Sequence, residues 1–136
     1  MRMIGLDVGE SRIGVALSDP MGVTAQPLQT VKRDANSLRL LSELVSETGA
    51  ATVVVGLPLL LDGSEGRQAL LVREFAAELS SAIDVPVVFF DERLTTKQAE
   101  SVLAGGRVKR GARREASDRV AAALILRSYM DRHPEE

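Results

Sequence analysis

Apolar and polar positions set the first seventeen-odd residues of ordered pattern, MIGLDVGESRIGVALSD from Met3 to Asp19. Met3, Ile4 and Leu6 lead up to Asp7, and Val8-Gly9-Glu10-Ser11 supplies a reversal. Ile13, Val15 and Leu17 then alternate with Arg12, Gly14, Ala16 and Ser18, the period of two that marks a strand. Val23 to Val31 is β-prone but contains Pro27, which predicts an edge strand or a bulge. Three antiparallel strands are therefore expected first.

The period changes after Val31. Asp34 is the predicted N-cap of a helix in which Leu38, Leu41, Leu44, Val45 and Thr48 recur at helical spacing up to Gly49. Thr52 to Val55 is a short continuous apolar run, as in a parallel strand buried on both faces, and it ends in Gly56-Leu57-Pro58. Leu59 to Gly66 reads as a loop with an Asp62-Gly63 turn. Its three leucines, Leu59 to Leu61, are expected to pack under the sheet edge or at a partner surface. A second helix is predicted from Glu65 to Ala82, with Val72, Phe75, Ala76, Leu79 and Ile83 as its apolar stripe. Val85 to Phe90 is the next buried strand and ends in Asp91-Glu92-Arg93. Thr95 and Gln98 have capping-box spacing for a short helix through Val102 and Leu103, stopped by Gly105-Gly106. The last helix is predicted from Glu115 to Arg132. The order βββαβαβαα implies an α/β fold, a single domain over 1–136 with a five-stranded mixed sheet and helices on both faces. Ligand sites in such sheets lie at the carboxyl ends of the parallel strands, where Asp7 and Glu92 both fall.

Composition narrows the chemistry. There is no Cys, which excludes disulfides, thiolate metal sites and Cys nucleophiles, and the single His133 lies at the C-terminal end, away from any plausible catalytic grouping. No apolar run approaches a membrane span. The N-terminus runs straight into a strand without a signal pattern, so a cytoplasmic location is expected. The net charge of −2 argues against indiscriminate coating of nucleic acid. The charge is nevertheless uneven: Arg107, Lys109, Arg110, Arg113 and Arg114 cluster beside Gly105-Gly106 and Gly111. Such a stretch is either a solvated loop or a phosphate clamp with salt-dependent affinity, and the two are compatible.

The remaining chemistry is carboxylate chemistry. Asp7 ends the first strand, Asp91 and Glu92 end the last, and Asp118 lies on the face of the last helix that carries Ala121, Ala122, Ile125 and Tyr129. Small alanines there let the helix lie close to the sheet, which brings Asp118 toward the strand ends. Each acid alone has a simpler explanation: a turn-starting Asp7, a helix-start Asp118 favoured by the helix dipole, a surface ion pair in Asp91-Glu92-Arg93. Converging at one end of one sheet, they suit Mg²⁺ or Mn²⁺ held through oxygen ligands. Such ions activate water and stabilise the leaving oxygen of a phosphodiester.

GLDVGESRIGVALSD, VVVGLPLLLDGSEG, FFDERLTT and SDRVAAALILRSYMD together resemble the YqgF/RuvX family of small bacterial proteins, and the four blocks stand in that family's order from Met3 to about Asp131. The resemblance implies the RNase H-like fold of the Holliday junction resolvases and a metal-dependent nuclease. Members are described as nucleases that process the 5′ end of precursor 16S rRNA, or as Holliday junction resolvases of branched DNA. It further implies Asp7 as the first metal-binding carboxylate and Asp118 as the one from the last helix. From the DERLTT block Glu92 is preferred for its longer reach, with Asp91 in reserve, because VPVVFF is apolar on both faces and alternation does not separate them. Arg93 would contact phosphate or orient the carboxylate, Thr95 would cap the helix, and Arg12 and Lys97 are further phosphate-contact candidates beside the basic stretch. RNase H-like nucleases usually carry an acid where this chain has Gly56-Leu57-Pro58. If Glu92 replaces it from a second-neighbour strand, it starts roughly 9–10 Å from the first strand; either it reaches by its side chain and loop curvature, or the free protein holds its metals poorly until substrate binds. The rival reading is a non-catalytic RNA- or DNA-binding factor with no metal dependence. Either a monomer or a homodimer is compatible with the sequence, with Leu59-Leu60-Leu61 as a candidate contact.

Overall fold

A computed structural model describes residues 1–95 and 110–133, and in the last helix the side chains from Ala116 on. Strands β1 (Met3–Val8), β2 (Arg12–Ser18) and β3 (Ala25–Lys32) are followed by helix α1 (Ser37–Thr48) and strand β4 (Thr52–Leu57). Helix α2 (Arg67–Ala82), strand β5 (Val87–Asp91), a 3₁₀ turn (Glu92–Leu94) and helix α3 (Arg110–Arg132) complete the described residues. The sheet has the order β3-β2-β1-β4-β5. β1 pairs with β2 and β2 with β3 antiparallel, whereas β1–β4 and β4–β5 are parallel. The expected five-stranded mixed sheet is therefore the observed one, with β5 second neighbour to β1. Pro27 lies on the edge strand β3 as expected, next to a register shift at Val15/Ala16.

Strand alternation divides the core in two. Ile4, Leu6 and Val8 of β1, Ile13 and Val15 of β2, and Val53 and Val55 of β4 pack against α1 and α2 through Leu41, Val45, Val72, Phe75 and Leu79. Met3, Ala16, Val54 and Phe90 face the other way and pack with Ala122, Ile125, Leu126, Tyr129 and Met130 of α3. A single alternation so fills both faces, which is why β1 and β4 read as almost continuous apolar runs.

Element boundaries shift where side chains compete for backbone. The Asp34 carboxylate accepts from the Asn36 N–H at 2.8 Å, and the Asp34 N–H donates to Ser37 Oγ at 2.8 Å, so α1 starts at Ser37 after a side-chain-closed turn. Glu65 forms a β-bridge with Leu59, which delays α2 to Arg67. Of the three leucines in that loop, Leu59 packs against the core. Leu60 and Leu61 do not, being 53% and 97% exposed. The loop closes on itself instead, with Leu60 N–H donating to the Ser64 carbonyl and the Ser64 N–H and hydroxyl both donating to Asp62. α3 begins at Arg110, more than a turn before the expected Glu115, so the end of the basic stretch is helix rather than loop. Arg and Ala there are good helix formers that outweigh the single Gly111. The predicted helix after Thr95 lies outside the described residues.

Candidate active site

The site is built on the α3 side of the sheet, where odd positions of β1 and even positions of β2 and β4 meet the helix. Three of those positions are glycines. A Cβ on Gly5 would stand 2.7 Å from Leu126 Cβ and 2.8 Å from the Ala122 carbonyl. A Cβ on Gly14 would run into the carbonyl of Asp118 itself. The helix backbone thus rests directly on the strands, and Gly14 is the cross-strand partner of Asp7. Asp118 is thereby placed over the residue beside Asp7. The sequence suggested close approach through the alanines of the helix; the strand glycines contribute the other half. Glycine inside a buried strand is the signal that marks such approaches.

Asp7 is largely buried, and its carboxyl is pushed up to about 6, first by burial and then by the negative charge of Asp118. No described residue donates a hydrogen bond to it. β5 supplies the next acid. Register pairs Leu6 with Val55, Val55 with Phe89 and Gly56 with Phe90, so strand alternation does separate the two candidates there. Asp91 falls with Phe89 on the α2 side, and Glu92 falls with Val88 and Phe90 on the α3 side, with Asp7. The Glu92 side chain then lies over β4: its Cγ and Cδ are 3.0 and 3.1 Å from where a Gly56 Cβ would be. Gly56 leaves the gap through which Glu92 extends toward β1. Glu92 is pushed up to about 7 by burial, then by the charges of Asp7 and Asp91.

Asp91 is engaged differently. Its carboxylate accepts from the Arg93 N–H at 2.9 Å and pairs with the Arg93 guanidinium, Nη2 at 2.7 Å, which holds its carboxyl below the usual range. Arg93 also donates to the Leu61 carbonyl at 3.3 Å, tying the β4–α2 loop to the end of β5. Thr95 Oγ1 donates to the Glu92 carbonyl at 2.8 Å and so closes the 3₁₀ turn. Asp118, in turn, accepts from Arg12 Nε at 2.6 Å. Arg12, expected as a phosphate contact, is therefore in an ion pair with an acid of the site. Lys97, Arg107 and Lys109 lie outside the described residues. Arg110, Arg113 and Arg114 belong to the first turns of α3, on the backbone that leads into Asp118.

The three acids Asp7, Glu92 and Asp118 thus meet on one face, each within electrostatic reach of Asp7. Among the described residues no three acidic or imidazole side chains close around a common point. The Asp118 carboxylate is instead paired with Arg12 of β2. The donor set is nevertheless one for a hard cation. Asp7 and Glu92, partly buried and without a described donor, are carboxyls whose ionised form a cation would stabilise, and the three acids offer oxygen ligands alone.

A model of the RuvX family, described as Holliday junction resolvase, matches residues 1–132. The chain belongs to the RuvX family. A relative from Moorella thermoacetica, named "Putative pre-16S rRNA nuclease", is 52% identical over 97% of this chain and 96% of its own. One from Syntrophus aciditrophicus with the same name is 48% identical over 96% of this chain and 89% of its own. Among solved structures, T. thermophilus RuvC in complex with a Holliday junction substrate superposes with a TM-score of 0.63. It is 16% identical, covering 98% of this chain and 96% of that one. The fowlpox virus resolvase bound to Holliday junction DNA gives 0.59 at 12% identity, covering 98% of this chain and 99% of that one. At such identity these two establish the fold, that of RuvC-like, RNase H-like resolvases, and the family establishes a nuclease. Within this RuvX chain, Asp7 and Glu92 stand at the carboxyl ends of β1 and β5, the end expected for ligands in such a sheet.

Proposed function

We propose that this chain hydrolyses phosphodiester bonds of RNA in a divalent-metal-dependent reaction, with precursor 16S rRNA as substrate. The observation that carries the reading is the pair of partly buried, mutually repelling carboxylates Asp7 and Glu92 at the ends of β1 and β5, with Asp118 over the neighbouring strand. Keeping such a pair in the fold costs stability, and a site for a cation with phosphate is a reason to keep it. The names of the 46–52% identical relatives support the RNA substrate.

Asp7, Glu92 and Asp118 are the residues that would hold Mg²⁺ or Mn²⁺. When bound, the ion supplies positive charge against the phosphoryl oxygens and makes water more acidic. The chain's own part is to fix the ligands: Asp7 on the rigid centre of the sheet, Glu92 on a 3₁₀ turn closed by Thr95, Asp118 on a helix seated on Gly14. Arg93, anchored by Asp91 and the Leu61 carbonyl, is a candidate cation for the substrate backbone. Arg107 to Arg114 would bind further along the nucleic acid, with a salt-dependent affinity. Displacement in line would leave a 5′-phosphate on the product.

Branched DNA is the second reading, favoured by the description of the family model over residues 1–132. The test sets precursor 16S rRNA and a four-way DNA junction side by side, with Mn²⁺, with Mg²⁺ and with chelator, for the parent chain and Asp7→Asn. Cleavage of the RNA that needs metal and is lost in Asp7→Asn, with binding retained, is the expected result. Full activity of Asp7→Asn, or binding without cleavage under every metal condition, would refute it, the latter in favour of a non-catalytic binding factor.

A further inference from the structure

Asp118 has its backbone seated on the sheet and its carboxylate on Arg12. Its carbonyl is seated over Gly14, so the start of this helical face cannot slide along the sheet. Across from Gly14 on β1 is Asp7. Two residues back along β2, on the same face, is Arg12, and the carboxylate is found there, 2.6 Å from Arg12 Nε. The pair is only partly shielded, with side chains 36% and 21% exposed, so an incoming polyanion can reach Arg12. Cross-strand neighbours lie about 5 Å apart and alternate residues along a strand about 7 Å apart, so Asp7 and Arg12 both flank the position over which Asp118 is seated.

We infer that Arg12 is a latch on the third acid of the site: it holds Asp118 out of the metal-binding group until a phosphate of the nucleic acid takes its place. Arg12 serves as a positioning residue, exchanging a carboxylate for a phosphate, both of which a guanidinium binds well. On release Asp118 turns across the Asp7–Gly14 pair and completes the set with Asp7 and Glu92. The arrangement makes metal binding depend on substrate, which confines hydrolytic competence to the occupied site. It also accounts for the open arrangement of the acids among the described residues.

This inference rests on the metal reading above, and the test separates the two. Mn²⁺ affinity is measured by the loss of the free-ion resonance signal in the chain alone, for the parent, Arg12→Ala, Arg12→Lys, Asp118→Asn and Asp7→Asn, each first checked for its fold by circular dichroism. Arg12→Ala is expected to bind Mn²⁺ roughly three- to ten-fold more tightly than the parent, the range of one partly exposed ion pair. Arg12→Lys, which keeps the charge but not the fork, should fall between them. A short phosphorothioate-protected RNA should tighten Mn²⁺ binding by the parent and leave Arg12→Ala nearly unchanged. If Asp118→Asn and Asp7→Asn weaken Mn²⁺ while Arg12→Ala binds it no better than the parent, the metal reading stands and the latch is overturned. If neither Asp118→Asn nor Asp7→Asn alters Mn²⁺ affinity, the metal reading falls and the latch falls with it.

Discussion

An acid that is kept buried for a cation should make the protein less stable than it would be without that acid, and Asp7 lets the size of this effect be worked out. Its carboxyl is pushed up to about 6, from an ordinary value of 3.8. Between those two values the folded chain holds a proton that the unfolded chain has released. The stabilising contribution is complete below about pH 4 and is lost as pH rises through about 6. At about 1.4 kcal/mol per pH unit, the shift corresponds to a loss of about 3 kcal/mol by pH 8. Asn keeps the shape of the side chain and removes its charge. In chelator, Asp7→Asn is therefore expected to match the parent near pH 4 and to exceed it by about 2–3 kcal/mol at pH 8. For a chain of this size that is a rise in Tm of roughly 10 °C.

Glu92 acts in the same sense, pushed up to about 7. Part of that shift is repulsion from Asp7, so an Asp7→Asn, Glu92→Gln double variant should gain less than the two single gains together. Thermal melts from pH 4 to pH 9 read all three. Mn²⁺ should raise the Tm of the parent at pH 8, since a ligand of the folded state stabilises it, and should do so less for Asp7→Asn. A difference between parent and Asp7→Asn that is flat in pH, or an Asp7→Asn chain that is the less stable one at pH 8, would refute the reasoning.

Other substitutions test the geometry of the same face. Glu92→Gln should lower cleavage by about 100-fold or more, whereas Asp91→Asn, which loosens Arg93 but leaves the α3 face intact, should stay within about ten-fold; single-turnover cleavage distinguishes them, and equal losses would contradict the assignment by strand face. Gly56→Ala places a methyl against Glu92 Cγ and within 2.5 Å of Ile125 Cδ1, so it should cost about 1–3 kcal/mol and weaken Mn²⁺ binding more than its loss of stability explains, as read by melts and metal titration. Gly14→Ala meets backbone rather than a side-chain end, so α3 must lift from the sheet; a fall in Tm larger than that of Gly56→Ala is expected, and a smaller one would show that the helix is not pinned there.

The order of elements was legible because β2, α1 and α2 each carry a clean period, and because antiparallel strands followed by βαβ units leave few topologies open. Boundaries were less so. Asp34 is a good N-cap by type, yet its carboxylate closes a turn to Asn36 and leaves the helix to Ser37, a choice between two local hydrogen bonds that composition does not rank. Leu59 to Leu61 were expected under the sheet edge or at a partner surface. In the single chain Leu59 reaches the core, whereas Leu60 and Leu61 are carried away from it by a loop whose path follows its own hydrogen bonds to Ser64 and Asp62. The ion pair of Arg12 with Asp118 joins residues 106 positions apart and left no local trace in the sequence.

Glu92 and Gly56 show most clearly what the sequence held and how it had to be read. VPVVFF is apolar throughout, so within β5 nothing tells Asp91 from Glu92. The distinction lies in the register between strands, which carries the face of Asp7 through Gly56 and Phe90 to Glu92. The absence of an acid at the end of β4 looked like a gap in the expected pattern, and Glu92 looked two strand spacings too far away to fill it. Both difficulties have one resolution. A carboxylate reaching in from β5 must pass over β4, and any side chain at that point of β4 would occupy its path. The missing acid and the glycine are therefore the same feature: with Gly56 on β4, the acid can come from the strand beyond, and Glu92 Cγ and Cδ lie within about 3 Å of the space that Gly56 leaves open.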